Sequence, residues 1–152
     1  MKKPGNNNTV LISACLLGIN CRYDGRQNYS KNAGRFLKGK PLIPFCPEIY
    51  GGLGIPREPA EIRDGSGENV LNNTSKVITR SGKDVTENFL HGSREGLKIC
   101  KRMNTKIALL KEKSPSCGVK RIYFMNRLKH GKGVFAAMLS QNNIEIISSE
   151  DV

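Results

Sequence analysis

Short apolar runs alternate along the chain with polar stretches rich in glycine. The runs TVLISA (residues 9–14), PLIPF (41–45), IALL (107–110) and IEII (144–147) are brief and nearly continuous, which predicts strands buried on both faces. The prolines of PLIPF shorten that run, because proline gives a sheet no donor. Residues 73–80 read as a short strand or hairpin arm before the turn SGKD. Helical spacing is clearest after Asp84, where Val85, Phe89, Ser93, Gly96, Cys100 and Met103 recur three or four positions apart and form one face with small residues at its middle. Asp84 followed by Glu87 predicts a capping box at that helix's start. A short helix is expected at 32–37 and a last one at 133–140, while 47–60 reads as a Gly/Pro-rich loop. Alternation of strand and helix patterns predicts a single-domain α/β fold of Rossmann-like type, a mostly parallel sheet with helices on both faces. Residues 1–8, MKKPGNNN, are expected to be a mobile leader to one domain at 9–152.

Composition narrows this picture. A chain of 152 residues suffices for one core without disulfides or metal as staples. No apolar run approaches the ~20 residues of a membrane span, and the run at 10–17 lacks a signal-peptide pattern, so a cytoplasmic protein is expected. The net charge of +12 favours anionic partners, from nucleotides to nucleic acid. Its basic residues are scattered and aromatics are few, so the charge favours no dedicated nucleic-acid face.

The cysteines change the picture most. Cys15, Cys21, Cys46, Cys100 and Cys117 are odd in number and irregularly spaced, which suits free thiols better than a disulfide frame. No CxxC pair occurs and only two histidines, His91 and His130, are present, which excludes zinc ribbons, thioredoxin-like motifs and the usual ferredoxin runs. A phosphatase-type loop is excluded too, since six residues rather than five separate Cys15 from Arg22. Cys100 lies on the core face of the long helix and reads as packing. Cys15, Cys46 and Cys117 each follow a predicted strand, and in an open parallel sheet the loops at the carboxyl ends share one edge, where ligands bind. Position alone leaves each of these three open between a ligand and an ordinary loop residue. Cys21 is open between a fourth ligand, a buried small residue and a resolving thiol. Three thiolates without a fourth would leave one iron of a cubane cluster able to act as a Lewis acid.

The motifs SACLLGINCRYDG, FCPEIYGGLGIPREPAEI, DVTENF and LKEKSPSCG, in this order, resemble those of the thiouracil desulfidase family. The likeness runs from Val10 to about Glu150 and rests on several independent motifs. It implies a single α/β domain holding a [4Fe-4S] cluster on three cysteines, with water replacing the sulfur of thiolated uracil to give uracil and hydrogen sulfide without net redox change. It implies Cys15, Cys46 and Cys117 as cluster ligands, Glu48 as acid/base, and Ser114 or Ser116 as a substrate-positioning hydroxyl. Many relatives carry an apolar residue where this chain has Cys21, which argues against that thiol as a ligand. In this scheme the open iron binds the thiocarbonyl sulfur while Glu48 activates water. Arg22, Tyr23 and Asp24 are expected to meet the pyrimidine edge or a phosphate, although an Arg–Asp pair in a loop is as often structural, and Arg57 in IPREP stands the same way. The alternatives are thiouridine monophosphate or thiolated RNA as substrate, and a non-catalytic basic module whose metal or cluster is structural and which binds RNA.

Overall fold

The computed structural model describes residues 8–152, so the expected leader lies outside the described residues except for Asn8, which is exposed. The strands predicted from continuous apolar runs are present as β1 (Val10–Ser13), β2 (Leu42–Phe45), β5 (Ile107–Leu110) and β8 (Glu145–Ser148). They form one fully parallel sheet in the order β2-β1-β5-β8. Both faces are covered. Leu11, Phe45, Ala108 and Leu110 pack with Cys100, Phe135, Ala136 and Leu139 from α4 (Thr86–Arg102) and α5 (Val134–Gln141). Val10, Ile12 and Leu109, pointing the other way by the two-residue period of a strand, pack with Leu16, Ala33 and Leu37 around α1 (Lys31–Phe36). This is the predicted α/β architecture. Among the described residues no helix is long and apolar enough to cross a membrane.

Several elements lay beneath the sequence signal. The expected loop at 47–60 opens with a single helical turn, α2 (Pro47–Tyr50), with Pro47 at its first position, where the missing N–H costs nothing. β3 (Ala60–Arg63) pairs antiparallel with β4 (Lys76–Thr79) around α3 (Gly67–Leu71), and β6 (Arg121–Phe124) pairs antiparallel with β7 (Arg127–His130). The β6–β7 hairpin turns on Met125 and Asn126, both at positive φ. Such a turn is usually flagged by glycine, and here no glycine marks it. The predicted capping box of α4 does not form. Asp84 accepts hydrogen bonds from the N–H and hydroxyl of Thr86, and Val85 occupies the cap position without a side-chain bond. A Thr placed two residues after Asp84 outcompeted Glu87 for the carboxylate's neighbourhood.

The small residues of α4 have a definite task. A Cβ on Gly92 would lie 1.7 Å from the Pro47 carbonyl oxygen, and one on Gly51 would lie 2.1 Å from the Asn88 carbonyl oxygen. α2 and α4 therefore touch backbone to backbone, and the Asn88 amide donates to the Gly51 carbonyl at 2.9 Å across the contact. Gly92→Ala is expected to cost about 3 kcal/mol, the upper part of the range for overpacking. Gly34→Ala, where a Cβ meets nothing within 4 Å, should be neutral or slightly stabilising. Denaturant midpoints of the two variants check this, and equal midpoints would remove the backbone contact as a constraint.

Candidate active site

The carboxyl ends of β2, β1 and β5 face one cavity of about 460 Å³, within the range of small-molecule sites. Cys15 lies in the 3₁₀ turn that ends β1, Cys46 is the N-cap of α2 directly after β2, and Cys117 lies in the loop after β5. All three border the cavity, together with Cys21, Arg22, Tyr23, Glu48, Ser114 and Ser116. The sequence-predicted residues thus come together with one exception. Asp24 is absent from the wall and instead accepts the Arg26 N–H at 3.0 Å and pairs with Arg22 at 3.4 Å. Cys100 sits in the core, as its position on α4 implied.

The thiols form a graded set, all five cysteines being free. The Cys46 thiol donates to the Cys21 carbonyl at 3.9 Å, and the cysteine side chains perturb one another in turn. The Cys15 side chain, together with burial, raises the Cys21 thiol to about 11. The Cys21 side chain, and then burial, raises Cys46 further still. Burial pushes Cys117 up to about 12, opposed by hydrogen bonds from Ser13 and Ser116. Among the described residues no three His, Cys, Asp or Glu side chains close on a point as a mononuclear metal site does. Soft thiols placed around a cavity, rather than converging on one ion, are a donor set that fits a multi-iron cluster.

Beside them runs a polar relay. Glu48, carried on α2, accepts from the Ser116 hydroxyl at 2.8 Å through one oxygen and from Arg57 Nε at 3.1 Å through the other. The two ion-pair side chains are only 16% and 8% exposed, respectively, so each depends on its partner. Arg57 also donates to the Cys21 carbonyl at 2.9 Å and the Gly54 carbonyl at 3.2 Å, tying the first-cysteine loop to the second. Ser114 and Ser116 separate in role. The Ser114 hydroxyl oxygen accepts the N–H groups of Ser116 and Cys117, shaping the turn, while Ser116 reaches Glu48. The first N–H groups of α5 complete the turn: Val134 bonds the Pro115 carbonyl, and Phe135 and Ala136 bond that of Ser116.

Sequence reasoning missed three supports of this site. Ser13, closing β1, accepts the Lys111 N–H at 2.9 Å and bonds the Cys117 thiol. Lys111 itself lines the cavity; burial pushes its ammonium below the ordinary lysine range, against the opposing pull of Cys15 and Cys117. Glu112 is 2% exposed, and one of its oxygens accepts N–H groups of Val119, Lys120 and Arg121 at 2.9–3.0 Å. Its other oxygen accepts the Ser148 hydroxyl. A buried carboxylate thereby closes the loop that carries Cys117. No spacing rule signals it, because its partners are backbone groups and a serine from a distant strand. On the outer wall Arg80, Tyr123 and Asn126 were also unforeseen.

Comparison with known proteins agrees with this geometry. The family described as 2-thiouracil desulfurase matches residues 10–151. The uncharacterized protein YbbK of Bacillus subtilis (strain 168) is 43% identical over 146 residues, spanning 94% of this chain and 97% of that protein. The solved structure of the [4Fe-4S]-dependent thiouracil desulfidase TudS superposes with a TM-score of 0.82 at 37% identity, covering 95% of this chain and 93% of that one.

Glu112 carries the prediction for this site. Burial alone would raise its pKa, but the hydrogen bonds it accepts from Ser148 and the backbone N–H groups outweigh burial and hold it below the usual carboxylate range. A depressed folded pKa means that its stabilising contribution is complete above the unfolded value near 4.3 and is lost as pH falls through the folded value. Glu112→Ala is expected to lose about 3 kcal/mol at neutral pH by orphaning buried donors. The deficit should shrink in acid, as read from denaturant midpoints between about pH 3 and pH 7. A pH-independent deficit would assign the loss to packing alone.

Proposed function

The chain belongs to the 2-thiouracil desulfurase family, and on that premise we propose that it replaces the sulfur of a thiolated uracil with oxygen from water. The products are uracil and hydrogen sulfide, with no net redox change. Its cofactor is a [4Fe-4S] cluster held by Cys15, Cys46 and Cys117, in keeping with the cofactor named for TudS. The observation that carries this reading is the carboxylate–hydroxyl pair, Glu48 and Ser116 at 2.8 Å, set in the same cavity as those three thiols. Held by three thiolates, such a cluster keeps one iron free of protein ligands and supplies Lewis acidity toward a thiocarbonyl sulfur.

The chain's own groups do the rest. Glu48 is the base that takes the proton of the attacking water, and Arg57 keeps its carboxylate from rotating by holding the oxygen opposite Ser116. Ser116, already bonded to that carboxylate, is the hydroxyl that positions the substrate and passes a proton. Ser114 shapes the turn beneath it. Arg22 and Tyr23 line the entrance, with the guanidinium 5.7 Å from the Tyr23 ring centroid, and give the pyrimidine an aromatic and cationic edge. Asp24 acts through Arg22 rather than on substrate. A nucleotide such as thiouridine monophosphate is the second reading, favoured by Arg80, a cavity-wall cation that is exposed and without a carboxylate partner among the described residues.

Anaerobic reconstitution tests both the cofactor and the reaction. Wild type and Cys21→Ser should each bind about four irons per chain and release sulfide from thiouracil or its nucleotide. Cys15→Ser, Cys46→Ser and Cys117→Ser should lose iron. Glu48→Gln should keep iron while turnover falls on the order of 10²–10⁴-fold. A cluster lost with Cys21 would sink the three-ligand site and favour a closed, non-catalytic centre.

A further inference from the structure

The chain runs from β1 to β2 on one side of the sheet and places β5 and β8 on the other. The crevice between β1 and β5, where the strand order reverses, is the place at which open α/β sheets bind ligands. Lys111 stands at that point. It follows β5 directly, and its N–H bonds Ser13 at the end of β1.

Its ammonium feels the Cys15 and Cys117 sulfurs but meets no carboxylate among the described residues. Of the cationic side chains that line the cavity, Arg22 pairs with Asp24 at 3.4 Å, Arg57 with Glu48 at 3.1 Å and Lys113 with Glu150 at 3.1 Å. Arg80 is exposed and answered by water. Lys111 alone is partly buried without a carboxylate partner among the described residues, and its ammonium donates only to the Glu112 carbonyl, at 2.8 Å. An ammonium carries three donors, so two remain for the cavity. The ammonium makes no hydrogen bond to either sulfur, so an anion that meets it directly offsets the remaining cost of withdrawing it from water.

The proposed reaction generates an anion there. A carbon–oxygen bond forms from water and the carbon–sulfur bond breaks. The bonding pair leaves on sulfur with one proton of water, while Glu48 holds the other, so hydrosulfide departs and becomes hydrogen sulfide when that second proton follows it. We propose that Lys111 is the leaving-group cation of this site, its ammonium binding hydrosulfide as the carbon–sulfur bond opens. This rests on the desulfidase reading and adds a residue that contacts the reacting sulfur. Lysine suits the task because its compact charge can follow a single atom, whereas a guanidinium is shaped for two-pronged oxyanions.

Two measurements test it. In the first, crystals of the full chain are soaked in sodium bromide, a monovalent anion visible by anomalous scattering. Wild type and Lys111→Arg should show bromide against the side chain at position 111, and Lys111→Met should not. In the second, hydrosulfide is added as product inhibitor during thiouracil turnover. Its inhibition constant should rise about tenfold or more in Lys111→Met, the usual scale for losing a charge-assisted hydrogen bond, with iron content unchanged and Lys111→Arg closer to wild type. Bromide bound equally in Lys111→Met, or an unchanged inhibition constant, overturns the proposal. So does a Lys111→Met protein that loses iron with its inhibition constant intact, since that assigns the lysine to holding the cofactor. If wild type releases no sulfide, the desulfidase reading falls by itself, and the bromide sites still decide whether Lys111 holds an anion.

Discussion

The contact of α2 with α4 is the constraint on which the site depends. Two helices can meet backbone to backbone only where neither carries a side chain, and Gly92 and Gly51 supply that gap. α2 is a single turn and could not hold its own conformation in water. It is held because the seventeen-residue α4, anchored by Phe89, Ser93, Gly96 and Cys100 in the interior, offers it a flat surface. The consequence is chemical, since Cys46 caps α2 and Glu48 lies one residue inside it. A thiol and a carboxylate needed on the same cavity wall are fixed by the absence of side chains on their far side.

A second dependence runs through the loop after β5. That loop must bring Cys117 and Ser116 under the cavity, and it has little regular structure to do so. Its polar backbone is satisfied instead by the Glu112 carboxylate on one flank and the first turn of α5 on the other. Buried backbone groups demand partners, and here the Ser114 oxygen accepts two N–H groups of the turn and its hydroxyl meets that of Ser116 at 2.9 Å, while Ser116 faces Glu48. The hydroxyl that meets Glu48 is thus distinguished from its neighbour by hydrogen-bond accounting, which residue type alone cannot do.

That accounting marks where sequence reading succeeds and stops. β1, β2, β5 and β8 were legible because strands buried on both faces need continuous apolar runs, and the gathering of Cys15, Cys46 and Cys117 was legible because parallel strands deliver their carboxyl ends to one edge. The separate duties of Ser114 and Ser116 were illegible, as were Glu112 and Lys111, because each is defined by partners far away in sequence or on the backbone. The β6–β7 hairpin escaped because Met125 and Asn126 adopt the positive φ that glycine normally advertises. The Asp84 cap misled for a related reason. A short acidic side chain has several local donors in reach, and spacing to Glu87 does not reveal that Thr86 takes the bond.

Cys21 shows how geometry weighs a residue that sequence left open. Cys15 and Cys46 both act on its thiol, and its carbonyl accepts Arg57 at 2.9 Å. The Cys46 thiol donates to the same Cys21 carbonyl at 3.9 Å, so the first two cysteine loops meet there. That carbonyl is gripped by the guanidinium that holds Glu48, so the Cys21 backbone and the Glu48 carboxylate are positioned by one side chain. The first two cysteine loops and the Glu48 carboxylate are therefore held to one another through Arg57, and a change at that guanidinium reaches all three.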